Sequence, residues 1–507
     1  MTEESSNIHN NFLEVAMSTM DKIQELKASR SAVEKSTKAA RERIAALLDP
    51  QSFVEVGAYV KSRSTDFNVK AQDTPADGVV TGYGTIEDRL VYVYSQEASV
   101  LGGAVGEMHA AKIAALYQKA VEMGAPIVGI IDSQGLRMQE LTDALAGYGK
   151  IYAAQAKASG VIPQITVVAG TAAGGAAVMP GLSDFTFMID KQSKVFVSSA
   201  NAMEKGTAFD DIAAAGVHGA KTGLADFVCA DEAECFAKVR TLVDMLPANN
   251  GEDAPIYEEL DDLNRVSEVL NAVAPEDGSG FDIVPVLAEL ADAHQFVEVK
   301  ADYAKSMVVG FMRLNGGTVG VVANNSVQAD GELTAAACDK AAKFIGFCDA
   351  FELPILSVTD TVGFAASKAE ENAGLAAAAA KLAGAFASAT VAKVNLIVGK
   401  AYGSAAMVMN SKESGADVVL AWPNAEVALM NAESAARILY AQELAQGADL
   451  AEKAAETAKL ATPYAAAARG LVDDIIEPAQ TRKHLLVAFG MLAGKQQVSP
   501  AKKHGTL

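Results

Sequence analysis

A sequence whose landmarks recur at one long interval builds two copies of a single domain, and this 507-residue chain carries such an interval. Gly82 opens GYGTIEDRLVYV and Gly310 opens GFMRLNGGTVGV; each reads as a glycine, a short strand, a turn and a second strand. Pro126 in APIVGIIDS matches Pro354 in LPILSVTDT, and Asp132 and Asp360 end those apolar runs. All three pairs lie 228 positions apart, and Gly174 in AAGGAA and Gly403 in AYGSAA lie 229 apart. A literal FVEV recurs at Phe53–Val56 and Phe296–Val299, 243 apart, so the first copy is the longer one between that tetrapeptide and Gly82. The interval far exceeds the roughly 20–50 residues of a solenoid unit, so the chain reads as a tandem domain pair. The stretches 246–266 and 275–280 are acidic and punctuated by Pro and Gly, which is linker composition. The expected domains are therefore 1–250 and 281–507.

Each copy alternates helices with buried strands. The run 127–132 is continuously apolar, as strands covered on both faces are. Before it, MHAAKIAALYQKAVEMG spaces its apolar residues for a helix and stops on Gly124. ITVVAG and VNLIVG are the matching next strands, and the pattern implies an α/β fold. Residues 21–48 read as a helix or helix pair with seven Lys or Arg between Lys22 and Arg43.

Composition narrows the function. The net charge of −21 argues against nucleic acid as a partner and favours a cytoplasmic protein. Half of the residues are hydrophobic, enough for large cores. The four cysteines, Cys229, Cys235, Cys338 and Cys348, form no CxxC pair, so neither a disulfide framework nor a zinc ribbon is expected. Residues 1–11 are polar and acidic, unlike a signal peptide. Residues 158–183 carry no charge, long enough to cross a bilayer, but their glycines, with Pro163 and Pro180, fit a strand, a loop and a helix.

The chemical signal is a pair of glycine loops, 170–181 in the first copy and 399–409 in the second, each placed after a buried strand. Small side chains there leave backbone N–H groups open to an anion or a developing oxyanion. Close helix–strand packing also requires Gly and Ala, but the two equivalent loops favour function. Other motifs fail. GAKTG at Gly219–Gly223 has Ala220 where a phosphate loop needs glycine, and no GxGxxG, HExxH or GxSxG appears in a suitable context. His109 and His218 fit core or surface roles. Glu107 and Glu140 are the carboxylates a hydratase could use, though Glu140 also fits a local cap or pair. The chain thus shows oxyanion loops without an evident acid–base residue, as expected where substrate or cofactor brings the base.

These residues carry a resemblance. The stretch Gly78–Ile113, with DSQGLRMQE, ALAGYGKI and VIPQI, is similar to the N-terminal half of the biotin-dependent acyl-CoA carboxyltransferases, the family of methylmalonyl-CoA decarboxylase alpha and propionyl-CoA carboxylase beta subunits. GKAYGSA, GADVVLAWP, GLVDDIIEPAQTR and the ending KKHGTL resemble its C-terminal half. The resemblance implies two tandem crotonase-like (ββα superhelix) domains, acyl-CoA on the first and biotin on the second. It implies carboxyl transfer between a short-chain acyl-CoA, methylmalonyl- or propionyl-CoA first, and biotin supplied in trans on a carrier protein, without a metal. Oxyanion donors would be Gly174 and Gly175 on the thioester, and Ser404 and Ala405 on the biotin ureido oxygen. Ala176, Gly135, Gly363 and Met407 would contact substrate, and Gly403 and Ala406 the biotin. A dimer-built hexamer, and a biotin carboxylase or a membrane decarboxylase subunit as a further partner, belong to the same implication, with a place peripheral to a membrane complex. Some family positions differ: DSGGARIQE reads DSQGLRMQE with Gln134 and Leu136, DVPGFLPG reads DTVGFAAS, and Ala406 replaces a common Tyr. Two alternatives remain: a non-catalytic scaffold paralogue, and a crotonase-type CoA hydratase or hydrolase working through its own glutamates.

Overall fold

The computed structural model describes residues 18–63, 73–258, 261–275 and 278–498. The polar start of the chain and the KKHGTL ending lie outside the described residues, as do parts of the acidic stretches at 259–260 and 276–277.

Two sheets of identical topology repeat the sequence interval. The first copy contributes β1 (Val54–Val56), β2 (Val79–Ile86), β3 (Arg89–Gln96), β4 (Ile127–Ser133), β5 (Gln164–Ala173), β6 (Phe185–Ile189), β7 (Lys194–Phe196) and β8 (Phe227–Cys229). The second contributes β9 (Phe296–Val299), β10 (Met307–Leu314), β11 (Gly317–Asn324), β12 (Ile355–Thr361), β13 (Lys393–Tyr402), β14 (Val418–Ala421), β15 (Glu426–Ala428) and β16 (Asp474–Ile475). The orders are β1-β2-β3-β4-β5-β6-β8 and β9-β10-β11-β12-β13-β14-β16, with β7 on β5 and β15 on β13. In each, the first three strands are antiparallel and the rest parallel. The mixed α/β layering and the crotonase-like pair expected from the sequence are what the structure has. The FVEV tetrapeptides supply the edge strands β1 and β9.

Local chemistry explains the hairpins. β10 and β11 turn through Asn315-Gly316, both at positive φ (+53° and +74°), the preferred pair for a two-residue turn. The first copy makes the same turn with Glu87-Asp88 at φ +48° and +59°. There Asp49 offsets the strain by accepting both N–H groups, at 3.3 and 3.0 Å.

Side-chain alternation sends each sheet's two faces into different cores. In the first copy, Tyr94, Ile127, Ile131 and Val168 pack beneath the helices Glu107–Met123 and Leu141–Ala158. The opposite face, with Val93, Val128, Val167 and Phe187, meets helices Lys38–Leu47 and Glu232–Met245. That core runs on into the second copy, where Phe185 stands edge-on to Phe347 at 4.7 Å and to Phe311 at 5.9 Å. The second copy's helices Ala335–Ala350 and Leu375–Ser388, counterparts of the first copy's outer pair, lie in this shared core. Its other face, with Leu356, Val394 and Trp422, is covered by Val284–Leu290 and Thr481–Leu492. The copies therefore stack in the same sense, and equivalent helix layers occupy different depths.

The basic N-terminal segment is a helix pair, Thr19–Ser36 and Lys38–Leu47. The uncharged stretch 158–183 supplies β5 and the first loop, and no helix among the described residues is long and apolar enough to cross a membrane. All four cysteines are free and buried.

Candidate active site

Both loops leave their strands through a left-handed glycine. β5 ends at Ala173; Gly174 follows at φ +56° and opens a 3-10 turn, Gly174–Val178. β13 ends at Tyr402; Gly403 follows at φ +60° and opens the helix Gly403–Val408. A side chain at that φ is strained, which is why glycine stands at both positions. Ala176 and Ala405 are buried and seat the turns on the sheet, while Ser404 is exposed and Gly174, Gly175 and Gly403 are half-buried. The opening N–H groups of such turns have no carbonyl of their own to reach. Ala406 is buried at the turn's inner side, whereas Met407 is 41% exposed, like its counterpart Val178 at 39%.

A second glycine turn stands beside each loop. Gly135, at φ +103°, donates its N–H to Ser133 Oγ (3.1 Å) and accepts from Val105 N–H (2.8 Å). Gly363, at φ +144°, donates to Thr361 Oγ1 (3.2 Å) and accepts from Leu333 N–H (3.0 Å). A Cβ on Gly135 would lie 2.9 Å from the Ala173 carbonyl oxygen, so this turn abuts the first loop. Thr361 pairs with Ala401, which sets the Gly363 turn next to the second loop.

Two tyrosines that the sequence reading did not single out back the first loop. Tyr152 Oη donates to the Gly175 carbonyl at 2.6 Å. A Cβ on Gly175 would come within 3.0 Å of the Tyr148 ring. Because the peptide is planar and trans, fixing the Gly175 carbonyl turns the Ala176 N–H to the opposite side. Burial raises the pKa of both phenols, so they act as neutral groups. Their i, i+4 spacing on Leu141–Ala158 was visible in the sequence, but which face that helix shows the loop was not.

The acid–base candidates of the first copy are committed to other contacts. Glu140 accepts the Glu107 N–H at 2.6 Å and pairs with Arg137 at 2.8 Å. Arg137 also pairs with the fully buried Asp77 at 2.6 Å, and the Glu107 carboxylate pairs with Arg63. His109 is fully buried between the Asp77 carbonyl (2.8 Å) and Gln96 (3.1 Å), and burial holds its pKa well below the ordinary value. His218 is held by the Val195 carbonyl (2.8 Å) and Thr222 (3.0 Å). No cluster suited to a metal ion occurs among the described residues. Among the described residues, the arrangement offers oriented N–H groups at two loops and no free side-chain base beside the first.

The family model of the carboxyl transferase domain matches residues 32–507. The alpha subunit of methylmalonyl-CoA decarboxylase from Veillonella parvula is 43% identical, with 92% of each chain covered. The propionyl-CoA carboxylase beta chain of Roseobacter denitrificans is 41% identical, over 92% of this chain and 93% of that one. Among solved structures, the transcarboxylase 12S hexamer assembly with methylmalonyl-coenzyme A and methylmalonic acid bound superposes with a TM-score of 0.93 at 39% identity, covering 97% of this chain and 99% of that one.

Proposed function

The chain belongs to the carboxyl transferase family, and on that premise we propose that it moves a carboxyl group between a short-chain acyl-CoA and biotin borne by a separate carrier protein. Methylmalonyl- and propionyl-CoA are the favoured esters, since relatives named for them align over nearly the whole chain. The observation that carries the reading is the pair of left-handed glycines, Gly174 and Gly403, opening equivalent donor loops on duplicated sheets.

In this reading the first copy, within 1–250, binds the CoA ester. The N–H groups of Gly174, Gly175 and Ala176 receive the thioester oxygen, whose charge grows as the α-carbon gains or loses carboxylate. One such donor contributes about 3 kcal/mol. Gly135 shapes the floor between β4 and β5. The second copy, within 281–507, receives biotin. The small Gly403, the exposed Ser404 and the N–H groups of Ser404 and Ala405 suit a planar, uncharged ureido carbonyl, with Ala406 leaving room behind it and Gly363 beside it. When bound, biotin supplies the carboxyl acceptor or donor and the base that neither loop provides. The chain's own residues hold the two carbonyl oxygens. Ala176 and Ala405 belong to different cores, so we assign the complete site to two copies of the chain, each lending one loop, within a dimer-built hexamer. A biotin carboxylase or a membrane decarboxylase subunit would complete the complex.

Decarboxylation of methylmalonyl-CoA by the purified chain is expected to require added biotin. Turnover without biotin that is lost in Glu107→Gln or Glu140→Gln would select a hydratase-like mechanism instead. No turnover under any condition would leave a scaffold paralogue.

Selectivity is expected to involve Met407, which projects from the second loop with 41% of its surface open. One methylene more or less in an apolar pocket is worth roughly 1–3 kcal/mol, so such a wall separates homologous acyl chains by about 10–200-fold per methylene. Met407→Asp should reorder kcat/KM across acetyl-, propionyl- and glutaryl-type substrates. An unchanged ranking in the folded variant removes Met407 from the pocket.

A further inference from the structure

Both loops follow a break in the parallel ladder, and the same side chain fills each break. Ile131 pairs with Val168, yet Ser133 pairs with Ala172, so Asp132 alone faces Ala169, Gly170 and Thr171. Thr359 pairs with Ile397, yet Thr361 pairs with Ala401, so Asp360 alone faces Val398, Gly399 and Lys400. Bulges of this kind re-aim the chain beside functional sites. Here the carboxylates stand in for the missing ladder bonds: Asp132 Oδ1 accepts from Thr171 N–H at 3.2 Å, and Asp360 Oδ1 from Lys400 N–H at 2.8 Å.

The fit is tight enough to dictate neighbouring residues. A Cβ on Gly170 would lie 2.2 Å from Asp132 Oδ1, and one on Gly399 would lie 2.3 Å from Asp360 Oδ1. The aspartate main chains are clamped as well. Their N–H groups donate to Gln96 Oε1 (3.1 Å) and Asn324 Oδ1 (3.2 Å). A Cβ on Gly103 or on Gly331 would lie 2.0 Å from the Asp132 or Asp360 carbonyl oxygen, respectively.

We infer that Asp132 and Asp360 are positioning residues, each fixing the strand bulge just ahead of a loop glycine and thereby the direction of the N–H groups that follow Gly174 and Gly403. Neither is assigned a contact with substrate. The inference rests on the proposed use of those loops. The two sites differ in one respect. Asp132 also pairs with Arg43 at 3.2 Å, and Arg43 pairs with Glu232 at 3.0 Å. Asp360 is only 5% exposed, and burial pushes its carboxyl above the usual range, so a neutral amide suits it.

The test measures kcat, KM for methylmalonyl-CoA and for free biotin, and thermal stability in the full chain. Asp132→Ala and Asp360→Ala are each expected to lower kcat about 100-fold, the scale of one misdirected oxyanion donor, with both KM values within about threefold. Asparagine keeps the Oδ1 acceptor. Asp360→Asn should therefore restore kcat to near wild type, and Asp132→Asn only in part, because Arg43 loses one of its two carboxylate partners. Gly170→Ala leaves the carboxylate present but displaced and should behave like Asp132→Ala. Where an alanine variant fails to fold, the asparagine variant and Gly170→Ala decide. Alanine variants that keep kcat, folded asparagine variants no better than alanine, or a fully active Gly170→Ala would overturn the positioning role. If Gly174→Val is dead while Asp132→Ala is active, only this role falls; if Gly174→Val is itself active, the loop's part in catalysis falls first.

Discussion

Gly174→Val is expected to lower kcat by about 100–1,000-fold while the protein stays folded. Gly174 sits at φ +56°, and a Cβ there would meet no heavy atom within 4 Å. The new side chain thus has space, and it enters the open side of the loop where the thioester oxygen would lie. A β-branched residue in the left-handed region costs roughly 1–2 kcal/mol, which the loop relieves by rotating its peptides away from the donor geometry. The readout is steady-state decarboxylation of methylmalonyl-CoA with biotin, alongside the thermal transition. Wild-type turnover in a folded Gly174→Val would remove the first loop from the mechanism.

Arg137→Met is expected to cost about 3–5 kcal/mol of stability, because it strands a buried charge. Arg137 is 2% exposed and pairs with Asp77, which is 0% exposed, at 2.6 Å. Its guanidinium also reaches Glu140 (2.8 Å) and the Ala104 carbonyl (3.0 Å), joining three segments that surround the start of helix Glu107–Met123. Burial already pushes the Asp77 carboxyl above the usual carboxylate range despite Arg137, and without the guanidinium it rises further. A carboxyl whose folded pKa exceeds its unfolded value loses stability as pH rises. The deficit of the variant should therefore shrink from pH 8 toward pH 5. Denaturant titrations across that range check both parts, and adding Asp77→Asn should recover much of the loss. A deficit below about 1 kcal/mol at pH 8 would mean that the site is already hydrated and the pair contributes little.

What the sequence determined by itself is what repeats along the chain. Gly82 and Gly310, Pro126 and Pro354, and Asp132 and Asp360 each hold the same place in the two sheets, because where strands begin and end is set locally by glycine, proline and apolar runs. The loop glycines were legible as the core of small-residue loops after buried strands, whereas their left-handed φ is a finding of the structure. Glu140 was legible as a local cap or pair, since its partners Arg137 and Glu107 include one three residues away. Only the tertiary structure decided the rest. It placed Tyr148 and Tyr152 behind the first loop, since a helix's spacing shows which residues share a face but not what that face meets. It turned the two aspartates inward to fill the bulges, where the deciding groups are backbone N–H atoms of a strand that lies far along the chain. Above all, it stacked the copies in one sense rather than face to face. Ala176 therefore rests in the outer core and Ala405 in the shared one, although each follows a left-handed glycine by two residues. Equivalent sequences specify equivalent elements, but which layer each element occupies depends on the summed burial of side chains from both copies. No single stretch of sequence encodes that sum.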